Sequence, residues 1–221
     1  MLEELKKEVV KIAKEADRSG LCKHRSGNFS IRDKETGYVV VTPTGVDREK
    51  LTYHDICVMD LDANVIENVT GLRPTSEVLM HLELYKTRSD IFAVAHTHSR
   101  FATAFAVLKK PIPAIIYECA NLGLKDAVIP VAPYGRPGTR ALSDSIIEPI
   151  KRADTILLEK HGVVAVDKDP EEALLKAHYV EELAEVYYRS LVINGGKEPE
   201  VFKSEELEKW EYPSEIKFPN K

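Results

Sequence analysis

The sequence is poor in cysteine, has no long apolar run and carries no marked excess of either charge, and each shortage removes a class of protein. Cys22, Cys57 and Cys119 are its three cysteines. An odd number at wide spacing argues against both a disulfide framework and a cysteine-based zinc ribbon, and leaves buried free thiols. No segment approaches the roughly 20 apolar residues of a transmembrane helix, and residues 1–7 mix acid and base where a signal peptide would be apolar. No membrane partner and a cytoplasmic location are therefore expected. A net charge of -5 from 31 basic and 36 acidic residues gives no general reason to expect nucleic acid. No G-x-G-x-x-G opens a helix, which disfavours a dinucleotide-binding unit. What is left, in 221 residues of which 43% are hydrophobic, suits one globular domain over 1–221 with a sizeable core and a polar C-terminal tail from about 195.

Residues 92–99 read as a buried strand that ends in His96 and His98. Side chains two apart in an extended backbone share a face, so the two imidazoles can aim at one point. The pair alone equally suits two polar residues at a strand end. Company distinguishes it: Glu77 in Pro74-Thr75-Ser76-Glu77 adds a carboxylate, and His161 before Gly162 adds a third imidazole. Such a set suits Zn²⁺ better than Mg²⁺ or Ca²⁺, which prefer oxygen, while Mn²⁺ and Co²⁺ stay open. If substrate oxygens displaced Glu77, the three histidines would hold a Lewis acid and the freed carboxylate would become a base, making an enediolate accessible from a hydroxy-ketone.

Periodicity predicts a helix over 2–18, a hairpin made by a strand after Asn28 and another over 38–41, and a strand over 56–61 followed by loop to Arg73. A helix from Pro74 would place Thr75 and Ser76 in its first turn and Val78, Leu79, Leu82 and Tyr85 inward. Further strands are expected over 114–117, ending on Tyr117, and over 128–131, 155–158 and 163–166; further helices over 99–108, 139–153 and 170–190. The whole is an α/β sandwich, a mostly antiparallel sheet covered by helices on both faces. Ser26, Asn28, Thr44 and nearby amides could cradle an anion, as could Thr75 and Ser76 at a helix start; each also reads as a plain turn or cap. Tyr117 could donate a proton near a metal or be a half-buried ring with a wet hydroxyl. His81 reads as support or packing beside Glu77, and His24, His54 and His178 as surface or packing.

Taken in order, Ser26-Gly27-Asn28-x-Ser30, Thr42-Pro43-Thr44-Gly45, Thr75-Ser76-Glu77, His96-Thr97-His98, Ile112-Pro113-Ala114-x-x-Tyr117, Ala132-Pro133-Tyr134 and His161-Gly162 resemble the class II aldolase/adducin family across nearly the whole chain. The resemblance implies a three-layer sandwich in a homotetramer with sites between subunits. One Zn²⁺ per subunit would be held by Glu77, His96, His98 and His161. A small phosphorylated sugar, a ketose like L-fuculose 1-phosphate, would be cleaved reversibly to dihydroxyacetone phosphate and an aldehyde through a zinc-stabilised enediolate. Gly27, Asn28, Thr44, Gly45, Thr75 and Ser76 would hold its phosphate, Glu77 would shuttle the proton and Tyr117 would line the aldehyde end. Tyr212 is a candidate for reaching a neighbouring site. Members acting on fuculose phosphate have a threonine where this chain has Arg25 and a phenylalanine where it has Pro137. A ribulose-5-phosphate 4-epimerase-like activity and a non-catalytic adducin-like interaction role are the alternatives. Epimerase members carry aspartates where Glu77 and Asn121 stand here, and adducin-like members lack the ligand set.

Overall fold

A computed structural model describes residues 1–208; Tyr212 lies outside them. In α1 (Glu3–Arg18) the buried positions Val9, Ile12, Ala13 and Ala16 recur at helical spacing, and Gly20 turns the chain away at φ 85°. Then follow β1 (Asn28–Arg32), β2 (Val39–Val41), β3 (Cys57–Met59), β4 (Val65–Glu67), α2 (Val78–Thr87), β5 (Ala93–Thr97) and α3 (Arg100–Val107). The second half holds β6 (Ile112–Pro113), β7 (Val128–Ile129), β8 (Val131–Ala132), α4 (Arg140–Ser145), α5 (Ile147–Ile150), β9 (Thr155–Leu158), β10 (Gly162–Asp167), α6 (Pro170–Ile193) and α7 (Ser204–Glu208). Eight strands form one sheet in the order β4-β3-β2-β1-β5-β10-β9-β8, with β6 and β7 as a separate pair. Within the large sheet only β8 and β9 run parallel. The mostly antiparallel sandwich read from the sequence is the observed one.

Alternation along the strands assigns the layers. Ala93 and Ala95 of β5 pack with α1 and the start of α6, whereas Val94 packs with α2, α4 and α5. The central strand is thus buried on both sides by small and branched residues. A third cluster, from α3, the end of α6 and the segment after β6, covers Leu157 and Val163. Asp169 caps α6 by accepting from the Glu171 and Glu172 amides, with Pro170 at the first position. No helix among the described residues is long and apolar enough to cross a membrane.

Several local expectations are corrected. The stretch after Asn64, read as loop, contains β4, an edge strand whose Val65 and Ile66 are exposed and so show no alternation of burial. Pro74 does not start α2; it bridges to Pro43, and Glu77 is the N-cap, so Thr75 and Ser76 precede the helix. Leu79 faces outward, while Met80, His81 and Leu84 join Leu82 and Tyr85 inside. Tyr117 begins a 3-10 helix instead of ending a strand. Pro130 splits the expected 128–131 strand, because it has no N–H to donate: Ile129 pairs back to Ile112 and Val131 moves on to β9. The helix expected over 139–153 breaks at Ile146, four residues before Ile150 and three before Pro149, whose ring would meet the Ser145 carbonyl that ends α4. Finally, the polar tail returns to the body: the Phe202 amide donates to the Ala114 carbonyl at 2.8 Å, and Phe202 and Leu207 pack on the third cluster.

Candidate metal centre

The parity that sends Val94 toward α2 sends His96 there too, and β5 ends at Thr97, so His98 follows just past the strand. Register places Asn28 of β1 and Val164 of β10 on either side of His96. Glu77 caps α2 on that same side without spending its carboxylate on the helix amides. His161 comes from the tight turn between β9 and β10, in which Lys160 adopts φ 58° and the His161 amide donates to the Leu158 carbonyl. Four side chains from three sequence segments therefore meet at one end of the central strands.

Their ligand atoms all lie within 4.8 Å of one another. Glu77 Oε2 is 3.1 Å from His96 Nε2, Glu77 Oε1 is 2.9 Å from His161 Nε2, and His96 Nε2 is 3.2 Å from His98 Nε2. Four donors at about 2.0–2.2 Å around one tetrahedral ion stand roughly 3.4 Å apart, close to these separations. Two further observations fit a cation. Glu77 Oε1 is buried and, despite its nearness to His161, accepts no hydrogen bond of proper geometry. His96 Nδ1 lies 2.8 Å from the Val163 carbonyl, an acceptor only, so Nδ1 carries the proton and Nε2 presents its lone pair to the cluster.

Electrostatics agree. Burial would raise the Glu77 carboxyl, but His96 and His161 outweigh it and hold the group below the ordinary carboxylate range. Burial would lower His96, yet Glu77 raises it. His98 is pushed down to about 3 by burial and by its two histidine neighbours, so it stands as a neutral imidazole.

Behind Glu77 runs a buried chain of hydrogen bonds. The carboxylate can only accept, so Asn28 Nδ2 donates to Oε2 at 2.7 Å. Asn28 Oδ1 then faces His81 Nε2 at 2.5 Å and accepts from it. Burial pushes the fully enclosed His81 down to about 3; the neutral ring, protonated on Nε2, accepts at Nδ1 from the Ser30 hydroxyl at 2.7 Å. The Tyr85 hydroxyl donates to the Ser30 carbonyl at 3.0 Å. His81 is thus support for Glu77 and not a member of the ligand cluster.

A cavity of about 170 Å³ opens onto the cluster. Glu77, His98 and His161 line one part, and Gly27, Asn28, Thr44, Gly45, Thr75 and Ser76 line the rest with Arg25, Ser26, Pro43 and Arg48. All six residues expected to hold a phosphate are brought together there. Asn28 enters with its amide already engaged by Glu77 and His81. Tyr117, 45% exposed, is not among the lining residues. Gly27 is required at its place: φ is 73°, and a Cβ would come within 2.4 Å of Cys22 Sγ and 2.7 Å of the His96 carbonyl. Arg48 was not singled out by sequence reading, since an arginine within Asp47-Arg48-Glu49-Lys50 reads as part of a solvated charged face.

Residues 7–188 match the family model described as class II aldolase and adducin N-terminal domain. The chain is 37% identical over 189 residues to the L-fuculose phosphate aldolase of Escherichia coli, covering 86% of this chain and 85% of that one. It is 34% identical over 208 residues to the 5-deoxy-D-ribulose 1-phosphate aldolase of Bacillus thuringiensis serovar kurstaki, covering 94% of each. Among solved structures it is similar to an L-fuculose 1-phosphate aldolase, with a TM-score of 0.85 at 35% identity over 93% of both chains.

Proposed function

The chain belongs to the class II aldolase and adducin family, and from that premise we propose that it cleaves a ketose 1-phosphate reversibly to dihydroxyacetone phosphate and an aldehyde. The two relatives named above act on ketose 1-phosphates that differ beyond the cleaved bond, so the shared dihydroxyacetone phosphate half is the part carried over. The observation that carries the reading is the convergence of a carboxylate and three imidazoles within 4.8 Å, in the same cavity as two hydroxyl-bearing loops.

In the cleavage direction the C4 hydroxyl gives its proton, directly or through water, to the Glu77 carboxylate, its electrons close the aldehyde carbonyl, and the C3–C4 pair moves to C3, which then takes that proton. His96, His98 and His161 with Glu77 would hold a divalent cation, Zn²⁺ by the donor set and Mn²⁺ or Co²⁺ with the same ligands, which would supply Lewis-acid stabilisation of the negative charge that develops on cleavage. Glu77 delivers the proton to C3 and removes it in the reverse reaction, a role that in enzymes contributes roughly 10²–10⁴-fold. Asn28, fixed by His81, holds Glu77 Oε2 and so sets the direction of the carboxylate. Thr44, Gly45, Thr75 and Ser76 take the phosphate. Tyr117 serves the aldehyde end; because it does not line the cavity of its own chain, that role requires a site shared between copies, in keeping with a homotetramer.

The test is a panel of ketose phosphates assayed for aldehyde with a coupled reductase, with metal content measured on the same sample. Aldehyde release that is abolished by chelator and restored by Zn²⁺ is expected. Inversion at one carbon without release would make the protein an epimerase, and neither turnover nor stoichiometric metal would make it a binding domain.

A further inference from the structure

Arg48 sits in a single 3-10 turn, Arg48–Lys50, and is 97% enclosed, with a relative exposure of 3%. Its Nη2 donates to the Gly27 carbonyl. The other two nitrogens of the guanidinium, Nε and Nη1, are buried and have no partner. Among the ion pairs of the described residues none involves Arg48, whereas the partly buried Arg88 and Lys176 are each paired with Asp154. A guanidinium stays charged at any ordinary pH, even where burial lowers its affinity for the proton as it does here. A buried cation without a counter-charge is strongly unfavourable, and proteins ordinarily answer it with a carboxylate or a bound anion. Asp17 acts on it electrostatically without forming an ion pair, and the residue lines the same cavity as Thr44, Gly45, Thr75 and Ser76.

We infer that Arg48 is the fixed positive charge of an anion subsite in this cavity, and that the group it takes is the dianionic phosphate end of the substrate. The assignment rests on the proposed function for the identity of the anion. Hydroxyls and amides of the two loops give direction but no net charge, and Arg25, the other arginine lining the cavity, is exposed to solvent, so Arg48 is the buried, fixed positive charge of the subsite. The guanidinium also holds the Gly27 carbonyl, in a turn so close to Cys22 and the His96 carbonyl that a side chain at Gly27 would strike both. Subsite charge and metal centre are thus joined through one turn, with Arg48 on the Gly27 carbonyl and Gly27 against the His96 backbone.

The experiment uses inorganic phosphate as the probe, by titration calorimetry on the full chain, so that it reads binding without turnover. Arg48→Met is expected to weaken phosphate at least about tenfold, and Arg48→Lys to recover part of that loss, since a charge-assisted hydrogen bond is worth more than a neutral one. In turnover the KM for a phosphorylated ketose should rise by at least about tenfold in Arg48→Met, with a much smaller fall in kcat. A purely structural prop on Gly27 would instead lower kcat and metal content together. If Arg48→Met fails to fold, the wild type still decides: ¹⁵N-arginine spectra should show the Arg48 Nε–H signal shifting saturably with phosphate. Unaltered phosphate affinity in a folded Arg48→Met, or an Arg48 signal indifferent to phosphate, overturns the assignment. Failure here leaves aldehyde release untouched, and absence of aldehyde release leaves the phosphate result standing, so the two readings fail separately.

Discussion

Gly162→Ala is the substitution whose consequence follows most directly from the coordinates. Gly162 opens β10 beside β5, and a Cβ there would lie 2.3 Å from the Thr97 carbonyl oxygen and 3.3 Å from both His96 Cε1 and His98 Cδ2. The backbone conformation itself is open to alanine, so the conflict is purely one of space. Relieving the oxygen contact needs the strands to part by about 1 Å, on the scale of overpacked cores that lose roughly 1–3 kcal/mol. Loss of glycine's chain entropy returns about 0.5–1 kcal/mol, leaving a net destabilisation of about 1–2 kcal/mol and a Tm lower by roughly 3–6 °C. The metal centre should suffer more. Ligand positions tolerate only a few tenths of an ångström, and both rings flank the new methyl, so Zn²⁺ affinity should fall about 10–100-fold. Scanning fluorimetry and competition with a zinc-binding dye read the two effects on one preparation. A Gly162→Ala protein with wild-type Tm and wild-type Zn²⁺ affinity would refute the close approach of β5 and β10 at the histidines.

Glu77→Gln should keep much of the metal, because three imidazoles remain, yet lower kcat by about 10²–10⁴ as the base is lost; near-normal turnover would remove Glu77 from proton transfer. His81 makes a pH prediction. Its folded value of about 3 lies below the ordinary 6.5, so the unfolded chain binds the proton more readily, and the stability it contributes is full above pH 6.5 and falls as pH drops toward 3. Between pH 7 and 5 this is about 2 kcal/mol. Urea unfolding of His81→Gln should accordingly show a flatter pH dependence than wild type over that interval, and parallel curves would contradict a buried neutral imidazole.

How much of this was legible beforehand depended on whether the signal was local. His96 and His98 could be paired from spacing because a strand fixes which side chains share a face, and the apolar run before them left little doubt about the strand. Glu77 and His161 were recognisable by type; His161 meets the pair because strand order places β10 beside β5, and Glu77 because α2 starts on the face toward which His96 points. The inside of α2 was misjudged because both faces near its start are occupied: Met80 and Leu84 enter the core, and His81 is buried to serve Asn28. β4 escaped notice because an exposed edge strand has no buried face to mark it. Arg48 escaped for the opposite reason: its neighbours Asp47 and Glu49 are solvated, and only the fold shows that the arginine between them turns inward toward Gly27. Tyr117 was placed at a strand end by its apolar run, whereas pairing in β6 stops at Pro113 and the chain coils into a 3-10 turn.

The central claim is one divalent cation held by Glu77, His96, His98 and His161. X-ray absorption at the zinc edge, on protein purified without a histidine tag and titrated to saturation, addresses it directly. The expected result is one ion per chain with a first shell of nitrogen and oxygen at about 2.0–2.1 Å and the outer-ring scattering of imidazoles, lost in His96→Ala. Saturation without a stoichiometric ion, or a shell lacking imidazole, would contradict it.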